Sequence, residues 1–459
     1  MSDRPTFYES LLAVMRVALP LMISTGTFSL VLFADRTLLL WYGDGSQMSA
    51  AMAAGNLYWT LVCMPIGIAS MTGAIVAQYV GSGKERHVGR FLWQAVWFAL
   101  AVSPLFVAIA IAAPWLFRAS GQPEALIAAE ATYMRILMIG AVGSVIETGL
   151  SGFFSGTQRT RIIMWASVAT GLLNVALDAW FIFGGLGVPA LGIAGAAWAS
   201  VIAFWFKAVI YSAVLLGPMF DARYRIRRGM AWDGKMLTKL MYFGIPAGLQ
   251  YVTEAGIFTL IVLQIGQLGD IPLRATTMAI NFNMVAFIPL IGVSIAASVL
   301  VGHHLTSTGV AGAIIATRSA LAISLAYSAI WAILYIFFPD LLLSFYRLGQ
   351  SDADTIEAIA LARNLLRFVA VYVFFDSIQL ILAGALRGAG DTWFVLGSAI
   401  VASVVAITIG LIGLDTAVER LGITVLSWWW SVITLWVWLL AVVMVARYRG
   451  GRWQMMRMI

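Results

Sequence analysis

Five carboxylates stand inside apolar stretches long enough to cross a membrane: Asp35, Glu147, Asp178, Glu254 and Asp376. A charge at bilayer depth costs about 2.5–3.5 kcal/mol even on the lenient insertion scale, so such groups normally face a wet cavity and bind something. Asn174 and Asp178 are four residues apart and share one helix face, with Thr170 one turn earlier. Carboxylate, amide and hydroxyl oxygens on one stripe suit a hard cation such as sodium, or a protonatable acid with hydrogen-bond partners. Asp35, on the first helix, is the natural cross-helix partner. In the second half Gln250 and Glu254 share a face, with Tyr251 three residues before Glu254. Tyr372, Asp376 and Gln379 share another, and Asn281 and Asn283 add amides from a further helix. Glu147 reads equally well as site or as packing. Arg36 follows Asp35, but helix neighbours point about 100° apart, so adjacency alone makes no salt bridge. Lys207 and Arg135 read as snorkelling or as paired with an acid. His303 and His304 read as interfacial rather than as ligands.

Other chemistries fail on their spacing. Gly388-Ala389-Gly390-Asp391 fits the GxGD pattern of intramembrane aspartyl proteases. However, Asp391 falls in a turn, and Gly156-Thr157-Gln158-Arg159 occupies the matching turn without an acid. Gly81-Ser82-Gly83-Lys84 has the look of a phosphate loop, but Gln78 stands where its first glycine belongs and Glu85 follows the lysine. No HExxH or GxSxG occurs. Cys63 is the lone cysteine, which excludes a disulfide framework and a thiolate metal cluster. The expectation is a non-enzyme without a resident cofactor, driven by an ion gradient.

The elements that position these groups follow from composition. The chain is 61% hydrophobic and 11% charged, against about 25% charged for a soluble domain. Apolar segments broken by Gly, Pro or charged turns predict helices near 11–41, 50–80, 91–117, 127–156, 161–184 and 190–217, and again near 240–268, 273–303, 311–345, 356–387, 393–414 and 423–447. Each exceeds the roughly 20 residues that a span requires. The runs are continuous rather than alternating, which excludes a barrel. The early apolar run is too long for a secretory signal and reads as a span. The 18 tryptophans and 25 phenylalanines read mostly as lipid contacts and interfacial belts, a few as a cavity lining for flat cations.

A net charge of +7 would suggest nucleic acid in a soluble chain; here loop charge sets topology instead. Lys84, Arg86 and Arg90 follow the second span, Arg159 and Arg161 the fourth, and Arg223, Arg225, Arg227, Arg228 and Lys235 the sixth. Arg447, Arg449, Arg452 and Arg457 form the tail. The intervening loops carry little: Asp44 alone after the first span, nothing charged at 185–190, and Asp270 with Arg274 after the seventh. Both termini and the 218–239 loop are therefore expected in the cytoplasm. That loop divides an N-terminal lobe, 1–217, from a C-terminal lobe and basic tail, 240–459. The halves repeat: Pro20 and Pro246 stand 226 apart, Pro65 and Pro289 224 apart, and Gly152, Gly156 and Thr160 answer Gly384, Gly388 and Thr392 at a constant 232. The acids are not repeat copies, since Asp376 answers Ser144 and Asp35 answers Ile261. Six helices per half gives an all-α polytopic protein of two six-helix lobes. Their pseudo-two-fold axis runs along the membrane normal, and their seam is the natural substrate site.

Several stretches together resemble the multidrug and toxic compound extrusion (MATE) family, in its NorM-like branch, over the whole length. They are Phe375-Asp376-Ser377-Ile378-Gln379, running on to Ala383-Gly384-Ala385-Leu386-Arg387-Gly388-Ala389-Gly390-Asp391-Thr392; Thr253-Glu254 after Pro246; and Ala279-Ile280-Asn281-Phe282 before Pro289. Asn174-Val175-Ala176-Leu177-Asp178 before Phe183-Gly184, and Val76-Ala77-Gln78-Tyr79-Val80-Gly81, complete the set. The resemblance implies outward transport of organic cations in exchange for sodium or protons. It implies an N-lobe cation site at Asp35, Asn174 and Asp178, with Thr170 and Ser200 beside it. It also implies C-lobe acids at Glu254 and Asp376, with Gln250, Tyr251, Tyr372, Gln379 and Asn281 around them. Two departures are Arg36, where a small polar residue is usual, and the end of the eighth helix, Val301-Gly302-His303-His304-Leu305-Thr306.

The expected protein is a cation-coupled antiporter of the inner membrane, acting as a monomer by alternating access and exporting amphipathic, cationic compounds. Sodium is favoured over the proton, held at Asp35, Asn174 and Asp178 or at Glu254 and Asp376, because that set offers more oxygens than a proton relay needs. The rivals are a lipid-linked sugar flippase, disfavoured because the buried charges lean acidic, and an intramembrane enzyme. On this topology a reporter fused within 218–239 or at the C-terminus reads cytoplasmic, and one near Gly43 or Gly187 reads periplasmic. Residue 225 found outside overturns it.

Overall fold

Continuous apolar runs have only one way to satisfy their backbone groups in lipid, which is to hydrogen-bond within themselves. The computed structural model of the chain accordingly consists of helices and turns. It describes residues 7–42, 46–121, 123–185, 187–346 and 353–459; Gly43 and Asp44 lie outside the described residues. In chain order the α-helices are α1 (Phe7–Tyr42), α2 (Ser46–Gly81), α3 (Val88–Ala119), α4 (Glu124–Gly156), α5 (Thr160–Phe183), α6 (Ile193–Leu215), α7 (Pro218–Tyr224) and α8 (Gly234–Gly266). They continue as α9 (Asp270–Thr306), α10 (Val310–Phe337), α11 (Pro339–Leu343), α12 (Ala353–Ala389), α13 (Thr392–Ile412), α14 (Leu414–Leu421) and α15 (Val425–Arg449). Twelve of these are long and apolar enough to cross a membrane. Large apolar side chains are exposed on each unit, such as Trp41, Trp115 and Trp165 on one and Phe337 and Ile412 on the other, as lipid contact requires.

The short helices are the differences from the sequence reading. The run expected to continue to 345 stops at Phe337, because Pro339 has no N–H to offer and opens α11 at its first position. The basic loop at 218–239 is not an open linker. Pro218 opens α7, whose Phe220 and Tyr224 are buried against Phe153, with ring centroids 5.7 and 5.0 Å away. Trp93 Nε1 and Trp97 Nε1 of α3 donate to the carbonyls of Ile226 and Met230, both at 2.9 Å. Gln94 donates to Ala231 O and accepts from Asp233 N. Arg223 grips Glu85 with two bonds, at 2.6 and 2.7 Å. Trp429, Trp430 and Trp453 are fully buried, so these three belong to packing and not to an interfacial belt.

The chain divides into two compact units, one of Met1–Met22, Leu249–Val301 and Thr308–Arg457, the other of Ile23–Gly248, Gly302–Ser307 and Met458–Ile459. The division falls inside α1 and α8, just after Pro20 and Pro246, rather than in the 218–239 loop. Within the unit that holds 23–248, α4 packs on α2, α3 and α6, and α5 packs on α6. Within the other, α12 packs on α10 and α15, and α13 packs on α15. The same neighbour order recurs because the same small-residue marks recur.

Backbone detail follows the 232-residue repeat. Gln158 and Gly390 both have positive φ, 60° and 103°. Arg159 N and Asp391 N then close the turns on Phe154 O and Leu386 O at 2.7 and 2.9 Å. The glycines just before these turns are close-packed. A Cβ on Gly156 would lie 2.7 Å from Gly73 O, and one on Gly384 2.6 Å from Ser294 O, while one on Gly388 would collide with Ser298 O. Gly388→Ala should therefore destabilise the protein by about 1–3 kcal/mol through overpacking. Gly397→Ala, where nothing lies within 4 Å, should stay within about 0.5 kcal/mol. Thermal unfolding in detergent compares them, and equal midpoints for both variants would refute the close-packed seam.

Candidate functional site

In the unit that holds 23–248, helical spacing on α5 stacks Thr170, Asn174 and Asp178 on one stripe, to which α1 brings Asp35 and α6 brings Ser200. All five are buried, Asp178 completely and Asp35 with 5% exposure. The carboxyls of Asp35 and Asp178 lie in close electrostatic range of one another, so each acid raises the cost of ionising the other. Oriented to satisfy its neighbours, the Asn174 amide donates from Nδ2 to Asp178 Oδ2 at 3.1 Å and to Asp35 Oδ1 at 3.2 Å, and its oxygen accepts from Ser200 N at 3.3 Å. Asp178 Oδ1 and Thr170 Oγ1 have no hydrogen-bond partner. The expected N-lobe set is thus gathered in one place, but the amide oxygen counted as a sodium ligand is spent on Ser200.

Two tyrosines escaped the sequence reading. Tyr133 lies in electrostatic range of Asp35 and Asp178, and of Tyr58, whose hydroxyl is 3.4 Å from Ser144 Oγ. Nothing in their spacing distinguishes them from other aromatic residues of the spans. Glu147 and Lys207 pair with each other at 3.2 Å, with side chains 17% and 20% exposed, and Arg135 Nε donates to Ala110 O. The snorkelling alternative for Lys207 gives way to an ion pair.

In the other unit, Gln250 Nε2 donates to Glu254 Oε1 at 2.8 Å on the expected shared face of α8. Glu254 is in electrostatic range of Asp376 on α12, and Asp376 of the buried Tyr372. Gln379 is buried with 4% exposure but bonds neither acid among the described residues. Asn281 turns away to donate to Tyr346 Oη at 3.0 Å, and Asn283 Oδ1 is buried without a partner.

The residue missed here is Arg387. It retains only 9% exposure, against the expectation that arginines stay in loops and tails. Its guanidinium donates to Tyr251 Oη at 3.2 Å and to Ser294 Oγ at 3.3 Å, and it lies in electrostatic range of Glu254. A basic residue in the last turn of an apolar helix was the available signal. Asp391, the acid of the GxGD match, is held by two bonds from Arg447 at 2.7 and 3.1 Å. That engagement is structural.

A family model, MatE, matches residues 20–180 and 246–412, which is more than half of the chain and falls once in each repeat. The chain belongs to the MatE family. Its members are transporters, not enzymes, and its all-helical, twelve-span fold is theirs. A Burkholderia mallei relative, named "Probable multidrug resistance protein NorM", is 30% identical over 402 residues, covering 84% of this chain and 82% of the relative. The Pseudomonas aeruginosa relative "Multidrug resistance protein PmpM" is 29% identical over 394 residues, covering 83% and 78%. Among solved structures, the eukaryotic MATE transporter AtDTX14 superposes with a TM-score of 0.84 at 17% identity, covering 98% of this chain and 97% of that one. A Pyrococcus furiosus transporter of the MOP superfamily, described as having a binding pocket of reverse polarity, gives 0.81 at 20% identity, covering 96% and 95%.

Within this MatE-family fold the Glu147–Lys207 pair is open to a direct measurement. Removing one partner of a buried pair strands a charge and costs about 3–5 kcal/mol, the lower figure applying to groups that keep some exposure. Lys207→Met should therefore lower stability by about 3 kcal/mol, and adding Glu147→Gln should recover most of the loss. A double variant no more stable than Lys207→Met would mean the two side chains act independently.

Proposed function

We propose that this transporter is a cation-coupled antiporter of the inner membrane, with both termini cytoplasmic, that exports amphipathic organic cations as a monomer by alternating access. The observation that carries the reading is a pair of carboxylates within a membrane-spanning part of each unit, Asp35 with Asp178, both buried, and Glu254 with Asp376, both half-buried. Such clusters are costly at bilayer depth unless a cation is taken up and released there. The printed names of the relatives, multidrug resistance proteins, support an organic and varied substrate.

The sequence favoured sodium because Asn174 could supply an oxygen. The geometry supports the proton at the N-lobe pair instead. With its amide oriented to satisfy its neighbours, Asn174 turns its nitrogen to the acids and its oxygen to Ser200 N. An amide that donates to the acids supplies no oxygen to a metal ion, whereas a carboxyl pair with amide donors suits one shared proton. Asp35 and Asp178 would hold that proton, and Asn174 would fix their orientation. The C-lobe acids, with Gln250 beside Glu254, would hold the cationic substrate. A flippase for anionic lipid-linked substrates draws on Lys207 and Arg387, but Lys207 is already neutralised by Glu147.

Dye efflux from proteoliposomes under separately imposed proton and sodium gradients tests the reading. The expected outcome is efflux that follows the pH gradient without sodium, is lost in Asp178→Asn and Asp376→Asn, and keeps its ion preference in Asn174→Ala. Efflux that needs sodium, and loses that dependence in Asn174→Ala, would restore the metal ion. Undiminished efflux in Asp376→Asn and Glu254→Gln would make the C-lobe acids structural.

A further inference from the structure

Arg387 is an unusual cation. Among the described residues no carboxylate is in ion-pair contact with it, and its hydrogen bonds go to two neutral hydroxyls, Tyr251 Oη and Ser294 Oγ. A buried guanidinium without a carboxylate partner is retained at a cost in stability, so its position needs a reason.

Its position is ordered along the helices. Asp376 and Arg387 are both on α12, 11 residues and so about 16 Å apart along the axis. Side chains tilt toward the helix N-terminus, so the guanidinium reaches back toward Asp376. Between the two levels, Ser294 Oγ donates to Leu380 O at 2.7 Å, tying α9 to α12. On α8, Tyr251 lies three residues before Glu254, so the arginine's anchor sits one turn from that acid. On either side of Arg387, Gly384 and Gly388 press α12 onto the backbone of Ser294 and Ser298. Along α12 the order toward the Gly388–Asp391 turn is therefore Asp376, Leu380 with its tie to Ser294, then Arg387 between two close-packed glycines.

We propose that Arg387, held by Tyr251 and Ser294, is the electrostatic barrier that stops a cation bound at Glu254 and Asp376 from leaking toward the Gly388–Asp391 end of the unit. The inference rests on the antiporter reading for the identity of the site, and it adds the residue that keeps the exchange coupled. A fixed positive charge attracts the acids but repels any cation that tries to pass them. Burial of the guanidinium weakens the solvent screening of that charge. Arg387 touches no substrate in this scheme; it positions charge.

The test uses the full chain in phosphatidylethanolamine–phosphatidylglycerol vesicles with no organic substrate. Uptake of radioactive sodium, acidification of a trapped pH dye, and chloride leak are measured under imposed gradients. Arg387→Met should raise the leak of sodium or protons about tenfold, the scale on which one nearby charge acts at an effective interior dielectric, while chloride leak stays at the wild-type level. Arg387→Lys, which keeps the charge and loses the planar fork, should restore most of the barrier. A cation leak equal to wild type in Arg387→Met overturns the proposal. So does a leak of sodium and chloride alike, which a merely loosened seam would produce, or a lysine variant as leaky as the methionine one. If Arg387→Met does not insert and fold, Tyr251→Phe carries the test. Its loss of one hydroxyl should raise the cation leak several-fold, and an unchanged leak overturns the barrier. Dye efflux by the wild type is read in parallel, so that its absence sinks the antiporter reading while the leak ratio alone decides the role of Arg387.

Discussion

The constraint on which the rest depends is the free-energy cost of keeping carboxylates at bilayer depth. An isolated ionised group there is expensive, and the protein meets the cost with partners rather than with water. Asp35 and Asp178 meet it with the amide of Asn174, which donates to both. Glu147 meets it with Lys207, and Glu254 with the amide of Gln250. These are three different solutions. The first leaves polar atoms unpartnered among the described residues, the second is closed, and the third faces a second acid and a distant arginine.

Placing such partners requires helices to approach closely and in register, and small residues permit this. Without a hydrophobic drive between helices in lipid, association relies on van der Waals contact, which glycine and serine maximise. The stripe of Gly152 and Gly156 against α2, and that of Gly384 and Gly388 against α9, set the level at which α4 and α12 sit in their units. The acids and their hydroxyl neighbours are then placed relative to that level. A one-residue slip along either seam would move Asp376 or Ser144 around the helix by about 100° and dissolve the sites.

Cations show the same division between fold and function. Arg447 is fully engaged by the buried Asp391, and Arg223 by Glu85; both fasten segments that the sequence alone would leave as loop or tail. Arg387 hydrogen-bonds two hydroxyls and lies over the Tyr251 ring, with no carboxylate in ion-pair contact among the described residues. The difference lies in what each faces, since the side chains are the same.

Much of the architecture was legible without coordinates because apolar length, loop charge and repeated glycines each report a strong physical constraint. Twelve spans, the internal repeat of Gly152, Gly156 and Thr160 in Gly384, Gly388 and Thr392, and the carboxylates worth explaining all follow from residue types and spacing; the positive φ shared by Gln158 and Gly390 does not, since a glutamine carries no signal for it. What spacing could not decide is which partner a long side chain finds across helices. Whether Asn174 turns its oxygen or its nitrogen to the acids, whether Lys207 reaches Glu147 or the interface, and whether Arg387 stays inside the unit are questions of three-dimensional proximity between segments far apart in the chain. The basic loop at 218–239 makes the same point. Its charges announced an aqueous face, but only the packing of Phe220 and Tyr224, and the indole bonds from α3, decided that it would dock as part of one unit. Local sequence sets which groups must be satisfied, and tertiary contact chooses what satisfies them.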